Sequence, residues 1–295
     1  MKVAEDVDKD NLLAPLHRRQ FQICDAEFAR FSRFLEESCG ILLAGHKQYL
    51  VQSRLGKIMQ DQGCDSLNQL VDRLSSPAGA ALREGVIDAM TTNETLWFRD
   101  SHPFDILRDR LLPEAIGQHN PGRLRIWSAA CSTGQEPYSI SMILDEYCRN
   151  HPGQRLPGVE IVATDISNNV LSRARSGVYE VLAIGRGLSK ERLDHFFVDQ
   201  GDGCWAVKPN IKSRVRFSNL NLLGSYTGLG QFDVVFCRNV LIYFSTERKV
   251  EILRKIHKTL KPGGYLLLGA SESLSGLSDC YKMIHCRPGI IYQAI

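Results

Sequence analysis

Polar and small residues follow three short apolar runs in the second half of the chain, at the points where strands would end. The runs have the sequences LRIWSA, VEIVATD and FDVVFC. Because the carboxyl ends of parallel strands meet at one edge of a sheet, side chains there converge on a common ligand site. The residues at these predicted ends are Ala130, Gly134, Glu136, Asp165, Arg238 and Asn239.

The loop after the first run, SAACSTGQEP, has the position of a nucleotide-binding loop but only one glycine. The chain contains neither GxGxxG nor GxxxxGK[ST], and a pyrophosphate needs the close backbone approach that such glycines permit. S-adenosylmethionine has no phosphate, so small residues such as Ala130, Ser132 and Gly134 suffice. Asp165 follows the loop at a distance suited to accept hydrogen bonds from both ribose hydroxyls. The loop therefore predicts S-adenosylmethionine rather than a dinucleotide.

Two of these residues also have a purely structural interpretation. Asp165 could cap the helix predicted in SNNVLSRARSG, since Asp is a favoured N-cap residue. Glu136 could be a first-turn charge that the dipole of its helix favours. Three polar strand ends in one parallel sheet favour a ligand site over separate caps.

The elements that would position these residues change in type along the chain. The early part has apolar residues at helical spacing, as in the stripe of Phe28, Phe31, Phe34 and Leu35, with Asp25 as the predicted N-cap and Gly40 as the stop. The later part alternates apolar runs with helical segments, which predicts a parallel sheet covered by helices. The predicted parts are a flexible N-terminus over 1–20, a helical domain over 21–90, a linker and inter-domain helix over 91–122 and a sheet domain over 123–295.

Residues 178–217 interrupt the alternation of strands and helices. The segment GCWAVKPNIKSRVRF alternates like antiparallel strands around a turn. We therefore predict a small inserted β-subdomain over 178–217.

Composition excludes several other classes of protein. Nine cysteines are scattered without a CxxC pair, which predicts reduced thiols and no metal site. A net charge of +3 is too small to imply a nucleic-acid partner. No apolar run approaches the ~18–20 residues of a membrane span, and the N-terminus is too acidic for a signal peptide. We therefore expect a cytoplasmic protein without nucleic-acid binding or membrane insertion.

Six strings in fixed order resemble the CheR-type chemotaxis receptor methyltransferases: TTNETLWFRD, WSAACSTGQEPYSI, ATDIS, NLNLL, FDVVFCRNVLIYF and LKPGGYLLLGASESL. The resemblance runs from about residue 25 to the C-terminus. It implies a Rossmann-like, class I S-adenosylmethionine-dependent methyltransferase domain of α/β type with the inserted antiparallel β-subdomain, preceded by a small all-α domain. Trp97 departs from the Phe common in that family, and Cys131 from the frequent Ala or Gly.

The activity implied by the resemblance is glutamate O-methylation. A methyl group would pass from S-adenosylmethionine to glutamate side chains of chemoreceptor cytoplasmic helices, giving glutamyl methyl esters and S-adenosylhomocysteine, for chemotactic adaptation. The cofactor-binding residues implied are Asn93, Thr95, Arg99, Ala130, Gly134, Glu136, Asp165, Asn221, Leu222, Arg238 and Asn239. No general base is needed, since a glutamate is ionised near pH 7.

The catalytic residues implied are Arg99 and Tyr243. A guanidinium fork matches the two oxygens of a carboxylate, and Tyr243 could donate a hydrogen bond or close the site to solvent. The structural alternatives are an ion pair of Arg99 with Asp100 or Asp105, and core packing of Tyr243 beside Phe244.

Lys47, Arg54 and Lys57 are spaced by seven and three residues, so they would share one helix face. In the family context this face would dock the Glu-rich receptor helices; the alternative is a solvated charged face. The insertion over 178–217 resembles a subdomain that grips a receptor C-terminal peptide, but its turn looks short, which favours a tether-independent enzyme. A regulatory adaptor protein is a further conceivable partner, and we expect a monomer.

Two other functions compete with receptor methylation. The first is a methyltransferase of another substrate class, but CRNVLIYF lacks the Pro-Pro string of amino-methylating nucleic-acid enzymes, and no basic stripe with interleaved aromatics appears. The second is a non-catalytic S-adenosylmethionine-binding module. Cofactor binding without methyl transfer to receptor would favour that module.

Overall fold

Four helices form the first part of the chain in the computed structural model, which describes residues 22–117, 123–154, 156, 158–274 and 276–295. They are α1 (Asp25–Cys39), α2 (Gln48–Asp61), α3 (Leu67–Ser75) and α4 (Ala80–Met90). Their apolar faces enclose one core in which Phe31, Leu35 and Leu55 are fully buried. The N-terminal residues predicted to be flexible lie outside the described part of the chain.

The ends of α1 show one error and one success of the sequence prediction. The N-cap is Cys24 and not Asp25, and the Cys24 N–H donates to Glu27 Oε2 at 3.4 Å. Asp25 is instead the first helical residue, where its charge suits the helix dipole. Gly40 ends the helix with a φ of 80°, as predicted, and a Cβ there would collide with the Phe244 ring.

A large sheet of seven strands follows. The strands are β1 (Leu124–Ala129), β2 (Val159–Asp165), β6 (Val215–Asn219), β7 (Phe232–Cys237), β8 (Leu260–Leu268), β9 (Tyr281–His285) and β10 (Ile290–Ala294). Their order is β6-β2-β1-β7-β8-β10-β9. The first five are parallel, and β10 and β9 are antiparallel additions. Apolar runs predict all of these strands except β9, namely LRIWSA, VEIVATD, VRFSNLN, FDVVFC, GYLLLGA and GIIYQAI. The strand β9 is an edge strand whose residues are mostly exposed.

Helices cover both faces of the sheet, as the alternating pattern predicts. The major ones are α7 (Gln135–Asn150), α8 (Asn168–Ser176) and α12 (Thr246–Thr259). Before the sheet, the chain passes through α5 (His102–Ile106), a π-helical turn over Leu107–Leu111 and α6 (Leu112–Gly117). No helix in the described ranges is long and apolar enough to cross a membrane.

The insertion contains a second, three-stranded antiparallel sheet in the order β3-β5-β4. Its elements are β3 (Val178–Glu180), α9 (Val181–Ile184), α10 (Lys190–Phe196), β4 (Phe197–Gly201), β5 (Cys204–Val207) and α11 (Pro209–Lys212). The prediction that antiparallel strands continue to residue 217 is wrong. Pro209 begins a helical turn, and from Val215 the chain pairs in parallel with β2, because its apolar residues fit the edge of the large sheet.

The nine cysteines are spread along the chain. All nine cysteines lie in the described ranges and are free, and four of them are buried. Among described residues, no cluster of side chains could hold a metal ion.

Candidate functional site

A cavity lies where the carboxyl ends of β1, β2 and β7 face the helical N-terminal part. Ala129, the last residue of β1, pairs with Thr164 in β2 and with Cys237 in β7, so the three strand ends are level. This edge is also the point where strand order reverses around β1, the usual ligand position in open α/β sheets. Predicted site residues that line the cavity are Lys47, Arg54, Asn93, Thr95, Arg99, Ala130, Glu136, Asp165, Asn221, Leu222, Arg238, Asn239 and Tyr243.

Gly134 is a predicted cofactor residue that does not line this cavity. It is the N-cap of α7 with a φ of 96°, and a Cβ there would lie 3.0 Å from both Ala174 Cβ and Tyr179 Oη. The glycine is therefore needed for close packing against α8 and the insertion. Its proposed contact with the cofactor stays a prediction, whereas other residues of the same loop, Ala130, Cys131 and Ser132, line the cavity.

The loop after β1 bends through left-handed conformations without glycine at two positions. Ala130 has a φ of 55° and Ser132 a φ of 50°; such conformations cost about 1–3 kcal/mol each for ordinary residues and persist where surrounding contacts hold them. The Ser132 N–H donates to Asp165 Oδ2 at 2.8 Å, and its hydroxyl donates to the Asn93 carbonyl at 2.8 Å. These bonds hold the small side chains of the loop at the cavity.

Asp165 braces two pieces of backbone at once. Besides the Ser132 bond, its Oδ1 accepts the Ser167 N–H at 3.0 Å. Burial raises the pKa of this carboxyl. Ser167, and not Asp165, is the N-cap of α8, where its hydroxyl accepts the Val170 N–H at 3.1 Å. Each Asp165 oxygen keeps acceptor capacity beyond these bonds, so the carboxylate can still take up donors from a ligand.

Glu136 and Arg238 form a buried ion pair on the opposite side of the loop. Glu136 Oε2 lies 2.9 Å from Arg238 Nη1, and Glu136 Oε1 accepts the Ser128 hydroxyl at 2.7 Å. Arg238, whose side chain is 1% exposed, also pairs with Asp100 at 2.7 Å. Glu136 is thus more than a first-turn charge of α7. Arg238 Nε is buried without a hydrogen-bond partner in the described part of the chain.

Arg238 also fixes the backbone of the segment that carries Arg99. Its Nη2 donates to the Arg99 carbonyl at 2.7 Å. In the described ranges, the Arg99 guanidinium donates only to the Glu94 carbonyl, at 3.2 Å. Among described residues it has no carboxylate partner, since Asp100 pairs with Arg238 and Asp105 with Arg108. The alternative interpretation of Arg99 as a structural ion pair is therefore wrong.

The insertion holds the same segment through Trp97. The Trp97 N–H donates to the Arg186 carbonyl at 3.0 Å, and its indole N–H donates to the Ala183 carbonyl at 3.1 Å. The ring meets Tyr179 and Phe197 edge-on, with centroids 4.9 and 5.2 Å away. This anchoring explains how the segment after Trp97 keeps left-handed φ values at three non-glycine positions, namely Phe98, Asp100 and Ser101.

The loop after β7 supplies Asn239 and leads into a 3-10 turn, Leu241–Tyr243. Asn239 has a φ of 59°. Tyr243 lines the cavity and is half-buried, and its carbonyl accepts the Leu42 N–H at 2.8 Å from the N-terminal part. Asn221 makes a similar link, because its Nδ2 donates to the Ser38 carbonyl at 2.8 Å. The cavity is therefore closed by contacts between the two parts.

Glu272 holds the loop after β7, and sequence reasoning missed it. Its carboxylate accepts the backbone N–H groups of Asn239, Val240, Leu241 and Gly269 at 2.7–2.9 Å. The only available signal was its place in the string GASESL, where an acidic residue follows a predicted strand.

The three predicted docking cations do not form one surface. Lys47 and Arg54 line the cavity, but Lys57 does not. Lys57 lies 3.4 Å from Asp61 with a side chain 86% exposed. Arg54 donates to the Met90 carbonyl at 2.7 Å and to two neighbouring residues of the segment after α4. Lys57 therefore lies on the solvent side of α2, one helical turn beyond Arg54, and its part in docking stays a prediction.

The cavity has the donor and acceptor set that S-adenosylmethionine requires. Asp165 offers acceptors suited to a ribose diol, and Leu222 offers a buried apolar surface for a base. The unpartnered Arg238 Nε suits a carboxylate such as that of an amino-acid tail. Arg238 is itself paired with two acids, Asp100 and Glu136. Sheet and cavity together define a Rossmann-like, class I S-adenosylmethionine-dependent methyltransferase domain.

Comparison with known proteins gives the family. The family described as CheR methyltransferase, SAM binding domain, matches residues 93–290, and the CheR methyltransferase all-alpha domain matches residues 26–91. The chain belongs to the CheR methyltransferase family, and its cofactor is S-adenosylmethionine.

Similar proteins share nearly the whole chain. Chemotaxis protein methyltransferase Cher2 of Pseudomonas putida is 60% identical over 269 residues, covering 91% of this chain and 98% of that protein. Chemotaxis protein methyltransferase 1 of Pseudomonas aeruginosa is 60% identical over 270 residues, covering 92% and 98%. The chemotaxis protein methyltransferase of Escherichia coli is 36% identical over 265 residues, covering 88% and 89%.

Proposed function

We propose that this protein methylates glutamate side chains in the cytoplasmic helices of chemoreceptors, giving glutamyl methyl esters. The names of its relatives support a role in chemotaxis. The observation that carries the choice of acceptor is the Arg99 guanidinium, which lines the cavity without a carboxylate partner in the ranges described. A cation left free beside a methyl donor suits an incoming carboxylate.

Arg99 binds and orients the acceptor carboxylate in this proposal. When bound, S-adenosylmethionine supplies a methyl group on a positively charged sulfur, and a carboxylate oxygen takes that methyl as the carbon–sulfur bond breaks. The acceptor is ionised already, so positioning and exclusion of water are the work of the protein. Tyr243 closes the cavity beside the N-terminal part, where Leu42 bonds its backbone.

Asp165 and Asn239 hold the cofactor in this proposal. Asp165 would accept the ribose hydroxyls, and Arg238 Nε would donate to the amino-acid tail. The other residues that would contact the cofactor also line the cavity, namely Asn93, Thr95, Ala130, Asn221 and Leu222. Glu136 fixes Arg238 through Oε2 and, with one protein donor on each oxygen, keeps acceptor capacity for the cofactor.

Lys47 and Arg54 guide the acidic receptor helix to the cavity. Lys47 lies at the start of α2 and lines the cavity. Arg54 adds charge to the same wall, although its donors are committed to the segment after α4. The resulting attraction should weaken as ionic strength rises.

Incubation with tritiated S-adenosylmethionine and a panel of receptor cytoplasmic fragments tests the proposed acceptor. We expect base-labile, volatile label on receptor glutamates. The variant Arg99→Ala should lower turnover by about a hundredfold or more, the scale of a misplaced reactant, and should change S-adenosylhomocysteine affinity by less than about threefold. Normal turnover in Arg99→Ala, or label that resists base, would overturn the proposal.

Arg254→Ala is the matched control for Arg99→Ala. Arg254 lies on α12, pairs with Asp279 at 3.4 Å and is 53% exposed. It does not line the cavity, so its loss should leave both turnover and cofactor affinity unchanged.

A further inference from the structure

The loop Asn239–Leu241 has backbone N–H groups that the sheet cannot satisfy. It leaves β7 at Cys237 and turns into the 3-10 turn without joining another strand. Asn239 and Val240 both line the cavity. A half-buried loop with three consecutive N–H groups requires an acceptor close by, and the identity of that acceptor decides how firmly the loop is placed.

One carboxylate fills this need completely. Glu272 Oε1 accepts the Val240 N–H at 2.9 Å and the Leu241 N–H at 2.7 Å. Glu272 Oε2 accepts the Asn239 N–H at 2.8 Å and the Gly269 N–H at 2.7 Å. A carboxylate has about four acceptor sites, so Glu272 has no capacity left for a ligand.

Gly269 allows the carboxylate to come this close. A Cβ at position 269 would lie 2.7 Å from Glu272 Oε2, 2.9 Å from the Asn239 backbone N and 2.9 Å from Asn239 Nδ2. The end of β8 is thus pressed against the loop, and any side chain there would force it apart. Glu272 and Gly269 together form a clamp on the turn that carries Asn239.

We propose that Glu272 is a positioning residue for the methyltransferase site and acts only through this loop. It holds the strained left-handed backbone of Asn239 at the cavity and sets the path to Tyr243. The inference rests on the proposed contact of Asn239 with the cofactor. Replacing Glu272 by Gln turns one acceptor oxygen into an NH2 donor that faces N–H groups, which breaks half of the clamp without changing its size.

A binding cycle on S-adenosylhomocysteine tests the proposal without any receptor. Calorimetry on the full chain would give the Kd for wild type, Glu272→Gln, Asn239→Ala and the double variant. We expect about a tenfold weaker Kd for each single variant and a double variant within about threefold of Asn239→Ala, since the two residues act as one unit. An unchanged Kd in Glu272→Gln, or additive losses near a hundredfold in the double variant, would overturn it.

Gly269→Ala is the second variant and keeps the test informative if Glu272→Gln folds poorly. It opens the same clamp from the other side, so the same non-additivity with Asn239→Ala is expected. Glu251→Gln is the matched control. Glu251 accepts from the side chains of Arg248 and Lys255 on α12 and does not line the cavity. Its loss should therefore leave the Kd unchanged.

Failure of the proposed acceptor would look different. Wild type would then put no base-labile label on receptor fragments, while the binding cycle would still show coupling between Glu272 and Asn239. If the receptor is labelled but the losses of affinity in the binding cycle are additive, the proposed acceptor stands and Glu272 is not a positioning residue.

Discussion

The loops after β1 and β7 face the same cavity, and each is held by a carboxylate from a neighbouring strand or strand end. Asp165 accepts two backbone N–H groups, from Ser132 and Ser167. Glu272 accepts four. Since a carboxylate has about four acceptor sites, the first can also bind a ligand and the second cannot. Counting occupied acceptor sites separates a binding acid from a bracing acid.

Both loops also use left-handed backbone without glycine, and here they differ in side chain. The loop after β1 places Ala130 and Ser132 in this conformation, and the loop after β7 places Asn239 there. Asn tolerates left-handed φ values better than Ala or Ser because its side chain can bond locally. The backbone of the loop after β1 is therefore more strained than that of the loop after β7. Asp165 stabilises a more strained loop than Glu272 does.

Among the variants that test the comparison of these two loops, Asp165→Ala should have the largest effect. Asp165→Ala should weaken S-adenosylhomocysteine binding by about a hundredfold, because two hydrogen bonds to a charged group contribute roughly 1.5 kcal/mol each. Calorimetry measures the change. Asp199→Ala, in the exposed part of the insertion, is the control. Unaltered affinity in Asp165→Ala would make Asp165 a brace like Glu272 and remove the distinction between the two loops.

Asp165 could be predicted from the sequence and Glu272 could not, and the difference has a physical reason. Asp165 ends an apolar run and follows a loop of small residues, so the convergence of parallel strand ends predicts its position. Glu272 comes after a strand but bonds to the loop of another strand, 31–33 residues away. Periodicity describes which face a residue occupies, but it does not describe which distant backbone a side chain reaches.

The same limit explains the other errors. The parallel strands and the long helices follow from apolar spacing, and they are in place. The sequence predicts Gly134 as a cofactor residue but could not show that it also packs against Ala174 and Tyr179, which come from distant elements. Helical spacing places Lys57 near Arg54 but could not show that the cavity wall ends between them. The edge strand β9 has a weak pattern because most of its residues are exposed to solvent.

Gly134 and Ala130 should respond to substitution in opposite ways. Gly134→Ala adds a Cβ at a φ of 96° and places it 3.0 Å from Ala174 Cβ and Tyr179 Oη. We expect a loss of about 1–3 kcal/mol in the free energy of unfolding, measured by urea denaturation. Affinity for S-adenosylhomocysteine should change little. Gly153→Ala is the control, since nothing lies within 4 Å of its Cβ position. A larger effect of Gly134→Ala on affinity than on stability would support Gly134 as a cofactor-binding residue.

The pH dependence of stability should also reveal Asp165. Burial raises its folded pKa above the ordinary value of 3.8, so the folded state holds the proton more tightly than the unfolded state. The contribution of Asp165 to the free energy of unfolding therefore falls as pH rises from its ordinary pKa through its folded pKa. Asp165→Asn removes this titration. In urea unfolding from about pH 4 to about pH 7, the difference between the two proteins should move in favour of Asp165→Asn. A constant difference, or one moving toward wild type, would contradict the raised pKa.

Ala130→Gly should have the smallest effect and bears directly on the glycine-poor loop. A glycine at a φ of 55° relieves about 1 kcal/mol of left-handed strain but gains unfolded-state entropy worth somewhat less. We expect a net gain of roughly 0.5 kcal/mol in urea denaturation, with cofactor affinity retained. Ala129→Gly, one residue earlier inside β1, has no such strain to relieve and should destabilise by about 1 kcal/mol. Equal losses in both variants would mean that Ala130 is not strained and that Asp165 braces a relaxed loop.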